Sequence, residues 1–184
     1  MKKLVTLAFA AIALLSISCQ KDPIGGTAVQ DASGQWYVKR YVVLQDGSIE
    51  DPFGYYGYQT KPYLMLTYNT AANKADELFV DDLGEYYYKS WGMYLDFKVK
   101  TKVDLNTLKF SATAAENEYE DEAVTIEGQI IKNAAKTAGG IQRDSIWMKV
   151  THEGDTFIED VMEIPGFDYY LITGVRYTGF AADE

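Results

Sequence analysis

From about residue 34 onward the chain alternates apolar and polar positions with a period of two between turn signals, and no long stretch carries helical spacing. Between Met93 and Val103, the residues Met93, Leu95, Phe97, Val99 and Val103 share one face, and Asp96, Lys98, Lys100 and Lys102 share the other. Such a strand is half buried and half wet. A turn at Asp104-Leu105-Asn106 leads to Leu108, Phe110, Ala112 and Ala114 alternating with Lys109, Ser111 and Thr113, which predicts a hairpin. Val124, Ile126 and Ile130 then alternate with Thr125, Glu127 and Gln129, with Gly128 at an inward position that marks a bend or a close approach. The same pattern predicts strands at Trp36 to Leu44, Tyr63 to Tyr68, Leu78 to Asp82, Ile146 to His152, Phe157 to Ile164 and Tyr169 to Thr178, about nine in all. Antiparallel strands with one wet face hide the other against a second sheet or by closing on themselves. There is no internal repeat, which argues against a propeller or solenoid.

Arg40 interrupts the apolar face formed by Trp36, Val38, Val42 and Leu44. Held in register, its guanidinium points inward and needs a partner, either a ligand carboxylate or phosphate or an internal acid. A bulge that turns it outward is the other solution.

The first residues follow a different pattern. Lys2 and Lys3 precede an apolar run from Leu4 to Ile17, too short for a comfortable membrane span, which reads as a secretory signal. The single cysteine, Cys19, follows at once and has no partner for a disulfide. Leu15-Ser16-Ile17-Ser18-Cys19 resembles the lipobox of bacterial lipoproteins, which implies cleavage before Cys19 and acylation of that residue. Gln20-Lys21-Asp22 resembles the export tag of some surface lipoproteins. The expected organisation is a signal peptide over 1–18, a flexible tether over 19–33, and one folded domain over 34–184. The expected location is the outer membrane, lipid-anchored, with display toward the cell surface implied by the export-tag resemblance and inward-facing display the alternative.

Charge and composition narrow the partners. The chain carries 17 basic and 27 acidic residues, and losing Lys2 and Lys3 with the leader takes its formal charge from −10 to −12. Nucleic acid is excluded as an expected partner, because phosphate binding needs a concentrated basic surface. Membrane attachment is expected through acyl chains rather than a polybasic patch. One histidine, His152, and no Gly-x-Ser-x-Gly leave no common nucleophile arrangement, and zinc would need more nitrogen or sulfur ligands than the chain has. No cofactor, metal or obligate protein partner is expected. His152 lies in phase with Ile146, Met148 and Val150 and reads as a hydrogen-bonded structural residue. Acids cluster at Glu77, Asp81, Asp82 and Glu85, and again from Glu116 to Glu122, where solvated loops are the simplest reading. Aromatics make up 14% of the chain and concentrate in two stretches, with Tyr55, Tyr56 and Tyr58 in one and Tyr87 and Trp91 in the other. Tyrosine joins an apolar ring to a polar rim, so these stretches suit the mouth of a cavity or a sugar-stacking surface.

Gly34-Gln35-Trp36 at the first strand resembles the Gly-x-Trp start of lipocalins, and Arg176 in the last strand resembles the arginine that lies over that tryptophan. The resemblance implies an antiparallel, calycin-like β-barrel of about eight to ten strands, with Trp36 and Arg176 closing its floor. Together with the leader, the "DSIWMKV" strand and the closing "YLITGVRYTGF", the chain resembles a family of lipocalin-like surface lipoproteins described as lipid-binding putative hydrolases. That implies a small apolar or amphipathic ligand in a cavity lined by Arg40, Phe97, Val99, Phe110, Ile126, Ile130, Met148 and Tyr170, with no catalysis required. The alternatives are a carbohydrate-binding module that uses the Tyr/Trp-rich loops and a hydrolase built on an acidic pair such as Asp81 and Glu85.

Overall fold

The computed structural model describes residues 26–55, 62–84, 95–136 and 139–179. In these, nine antiparallel strands follow one another: β1 (Gly34–Leu44), β2 (Ile49–Glu50), β3 (Tyr63–Asn69), β4 (Glu77–Asp81), β5 (Lys98–Asp104), β6 (Lys109–Ala115), β7 (Val124–Lys136), β8 (Gln142–His152) and β9 (Phe167–Arg176). β1 pairs with β3, each strand from β3 to β8 pairs with the next, and β9 returns to pair with β1 along its length. The result is a closed eight-stranded barrel, with β2 an extra short strand hairpinned onto β1. Closure removes the sheet edges that an open sheet would leave. No helix among the described residues is long and apolar enough to cross a membrane.

The alternation fixes which side chains fill the barrel. Trp36, Val38, Met65, Leu78, Val80, Val99, Phe110, Ile126, Ile130, Ile146, Met148 and Ile172 all project inward and are buried. Two glycines mark where the interior is tightest. A Cβ at Gly128 would lie 2.5 Å from the Phe110 ring and 2.7 Å from Met148 Cβ, so the close approach expected there is made by Phe110. A Cβ at Gly174 would lie 2.1 Å from the Tyr37 carbonyl oxygen, at the β1–β9 seam that closes the barrel.

The structure departs from the sequence reading at four places. Phe157 to Ile164 is no strand: Phe157–Val161 forms a π-helical turn that seats Ile158 in the core. β2 takes the vacant place in the strand count, being too short to leave a pattern. β5 begins at Lys98, and in the irregular stretch before it Asp96 is buried alongside Leu95 and Phe97 rather than wet. The described end of the expected tether, residues 26–33, is folded: Thr27 to Val29 turns into a 3-10 helix at Gln30–Ala32, and Val29 and Ala32 are fully buried.

Candidate functional site

The barrel has two unlike ends. At the floor, Trp36 is fully buried, and its indole N–H donates to Thr67 Oγ1 at 2.8 Å. Thr67 in turn donates to the Ala32 carbonyl at 2.6 Å, which ties the 3-10 helix across this end. Arg176, directly opposite Trp36 in the β1–β9 register, places its guanidinium carbon 4.6 Å from the indole centroid. It also donates to the Ser33 carbonyl at 2.8 Å and to Asp144 at 3.1 Å. These bonds explain the glycine of Gly-x-Trp, because a Cβ at Gly34 would meet Arg176 Nη1 at 2.3 Å.

The opposite end, the mouth, holds a polar chamber in an otherwise apolar interior. Arg40 does point inward, since the β1 register shifts only later, between Val43 and Leu44. It is 2% exposed, donates to Asp82 Oδ2 at 3.0 Å and to the Leu95 carbonyl at 3.2 Å, and lies 5.7 to 5.9 Å from the ring centroids of Tyr170, Phe97 and Tyr63. The partner Arg40 requires is therefore the internal Asp82. That residue continues the inward phase of Leu78 and Val80 one step past the end of β4, a signal present in the sequence but hidden in a run read as solvated acids. The second Asp82 oxygen accepts from the backbone N–H of Phe97 at 3.0 Å and Gly84 at 3.2 Å. Burial pushes the Asp82 carboxyl up to about 7; Arg40 and the two N–H groups pull against it, and Asp96 nearby adds to it.

His152 closes the chamber at the end of β8. Its ring stands edge-on to Phe97 and Tyr170, with centroids 6.2 and 6.1 Å away. It is 6% exposed, and among the described residues neither ring nitrogen has a hydrogen-bond partner. The expectation of a hydrogen-bonded structural histidine is thus corrected in its bonding, although its inward phase holds. Burial, helped by the Arg40 charge, lowers its pKa to about 3, so the imidazole is neutral with one donor and one acceptor on offer.

A strap of residues 153–166 covers this end. Ile158 is fully buried, and Phe157, Met162 and Ile164 pack against the core. The strap is pinned where Tyr170 donates its hydroxyl to Asp155 at 2.5 Å and where Gly166 N–H donates to Glu159 at 2.9 Å.

Of the residues expected to line a cavity, Phe97, Val99, Phe110, Ile126, Ile130, Met148 and Tyr170 all face the interior and are at most 2% exposed. Phe97 and Tyr170 belong to the chamber, whereas Phe110, Ile126 and Met148 lie deeper, in the layer closed over Gly128. Tyr56, Tyr58, Tyr87, Trp91 and Cys19 lie outside the described residues, and Tyr55 is described only as backbone at the end of a short helix, Pro52–Tyr55. In the suggested acidic pair, Asp81 is buried and accepts from Tyr119 at 2.7 Å, Leu83 N–H at 2.8 Å and Tyr68 at 2.8 Å; Glu85 lies outside the described residues. Among the described residues no three acids, histidines or cysteines converge as a metal site. A wide groove of about 910 Å³ runs over the outer face of β5 to β8, where Lys109, Gln129 and Trp147 stand in one cross-strand row.

The described strands form a closed antiparallel barrel with an arginine-capped tryptophan floor and a polar mouth, the architecture the lipocalin resemblance implies. Residues 21–181 match the family described as lipid-binding putative hydrolases, and the chain belongs to that family. A comparison with curated proteins finds no match. A lipid-binding role fits both the family and the barrel.

Proposed function

We propose that this protein is an outer-membrane lipoprotein, anchored through Cys19, that takes one small amphipathic lipid into the mouth of its barrel. The polar head would meet the Arg40, Asp82 and His152 chamber, and the apolar part would lie against Phe97, Tyr170 and the underside of the strap. The observation that carries this reading is His152, a neutral imidazole buried at the mouth with both nitrogens unpaired among the described residues. A buried donor and acceptor left unsatisfied cost free energy that a ligand hydroxyl, amide or acid would recover. The packing of Phe110 over Gly128 limits the seat to the mouth, and entry requires the strap to lift Ile158 out of the core. Organic extraction of the membrane-purified protein, read by mass spectrometry, should release about one amphiphile per chain, and His152→Phe should reduce that yield. Extracts without amphiphile, from a protein that also takes up none when it is added, would overturn the reading.

A second reading, glycan binding, is favoured by one observation: the outer groove combines Trp147 with hydroxyl, amide and charged side chains. Glycan binding abolished by Trp147→Ala would support it. Binding lost instead with Trp91→Ala would return it to the loops.

A further inference from the structure

Charge is distributed unevenly along the barrel axis. Two of the connections at the mouth, 116–123 and 153–166, contain ten acidic residues and no basic one. At the floor end, β7 and β8 run on past the barrel as a two-stranded ribbon, described over residues 131–136 and 139–143, beyond the last pairing of β7 with β6. This ribbon contains Lys132, Lys136 and Arg143 and no acid. Its apolar side chains Ile131 and Ile141 are 42% and 47% exposed. Among the described residues Asp31 and Asp144 both pair with Lys132, and Arg143 is also engaged.

The chain also enters the fold at this end. Lys132 Nζ donates to the Asp31 carbonyl at 2.9 Å, and Ala28 N–H donates to Asn73 in the β3–β4 turn at 2.9 Å. Cys19 precedes Gly26 by seven residues, a reach of at most about 25 Å when fully extended. We infer that this ribbon docks on the bilayer surface, Ile131 and Ile141 entering the interface and Lys136 facing anionic headgroups, so that the barrel stands floor-down with its mouth away from the membrane. The inference rests on the N-terminal attachment proposed above. Each half of the charge distribution drives the same orientation: an anionic surface attracts the ribbon and repels the acidic mouth. Overall acidity therefore hides a local patch of opposite sign, and the sequence-based expectation that no basic surface assists the anchor is revised by this proposal.

The test uses the full chain reconstituted into vesicles of phosphatidylethanolamine and phosphatidylglycerol, with a photoreactive benzoylphenylalanine replacing Ile141 or, at the mouth, Val161, which is 59% exposed. Position 141 should form lipid adducts in clear excess over position 161. Lys136→Glu should lower the adducts at 141 about fivefold or more, since each basic residue near an anionic surface contributes about that factor. A chain that fails to float with the vesicles overturns the anchor and the docking together. A chain that floats but gives equal adducts at the two positions, or chain-to-chain adducts at 141, overturns the docking alone.

Discussion

Replacing Arg40 with methionine would leave the buried Asp82 carboxylate facing an apolar chain of similar length. At 3.0 Å the ion pair has a Coulomb energy of about 5 kcal/mol if the effective dielectric constant is about 20. That is not its net worth, because both charges were desolvated to make it; breaking one side of such a pair typically costs about 3–5 kcal/mol. Asp82 limits the damage by taking up a proton. Its folded pKa of about 7 already lies above the ordinary carboxyl value of 3.8, so the native state binds more protons than the unfolded chain between these values. Its contribution to stability therefore falls as pH rises through that window and levels off above about pH 7. Without Arg40 the pKa climbs further, and the decline continues above about pH 7 at about 1.4 kcal/mol per unit. Urea unfolding followed by near-ultraviolet circular dichroism at several pH values reads this directly. Arg40→Met should cost about 3–5 kcal/mol near pH 8 and less near pH 5, and the double variant Arg40→Met with Asp82→Asn should recover most of the loss. A single variant within about 1 kcal/mol of the parent near pH 8, or a double variant as unstable as the single one, would refute the buried pair.

Three further outcomes follow from the same geometry. His152, with a folded pKa of about 3 against the ordinary imidazole value of 6.5, makes the unfolded chain bind the extra proton between those values, so stability is lost as pH falls through that window. His152→Phe should flatten this acid limb, which amounts to up to about 5 kcal/mol in a pH series of urea midpoints. Gly174→Ala should cost about 3 kcal/mol or more because every near obstacle is backbone, whereas Gly128→Ala, which meets the Phe110 ring tip and Met148 Cβ, should cost about 2–3 kcal/mol; thermal melts of the two rank them. Cys19→Ala should release a folded protein from the membrane fraction with unchanged melting temperature, and a variant that stays bound or unfolds would contradict the acyl anchor.

The barrel was legible wherever a strand has one buried face. β1, β3, β6 and β9 lie close to where alternation placed them, and Gly34, Trp36 and Arg176 meet as the lipocalin resemblance implied. Legibility failed where that condition lapsed. The 131–143 ribbon is wet on both faces, so β7 and β8 run longer than their alternation. In the strap, Phe157 with Val161 and Ile158 with Met162 repeat at four, but a single π-helical turn is too short to separate from a buried strand. The chamber was half legible: Arg40 and His152 were in phase, yet no spacing rule identifies Asp82 as the partner or leaves His152 without one. Those facts depend on which strands closure brings face to face.

The most direct test of amphiphile binding at the mouth uses the fact that the chain has one histidine. Nitrogen-15 spectra of the imidazole, recorded while the purified protein is titrated with a monoacylglycerol or a fatty acid, report on His152 alone. The account expects both ring-nitrogen resonances to move in step with binding, from a neutral, unbonded imidazole to a hydrogen-bonded one. Binding that saturates while both resonances stay in place would contradict it.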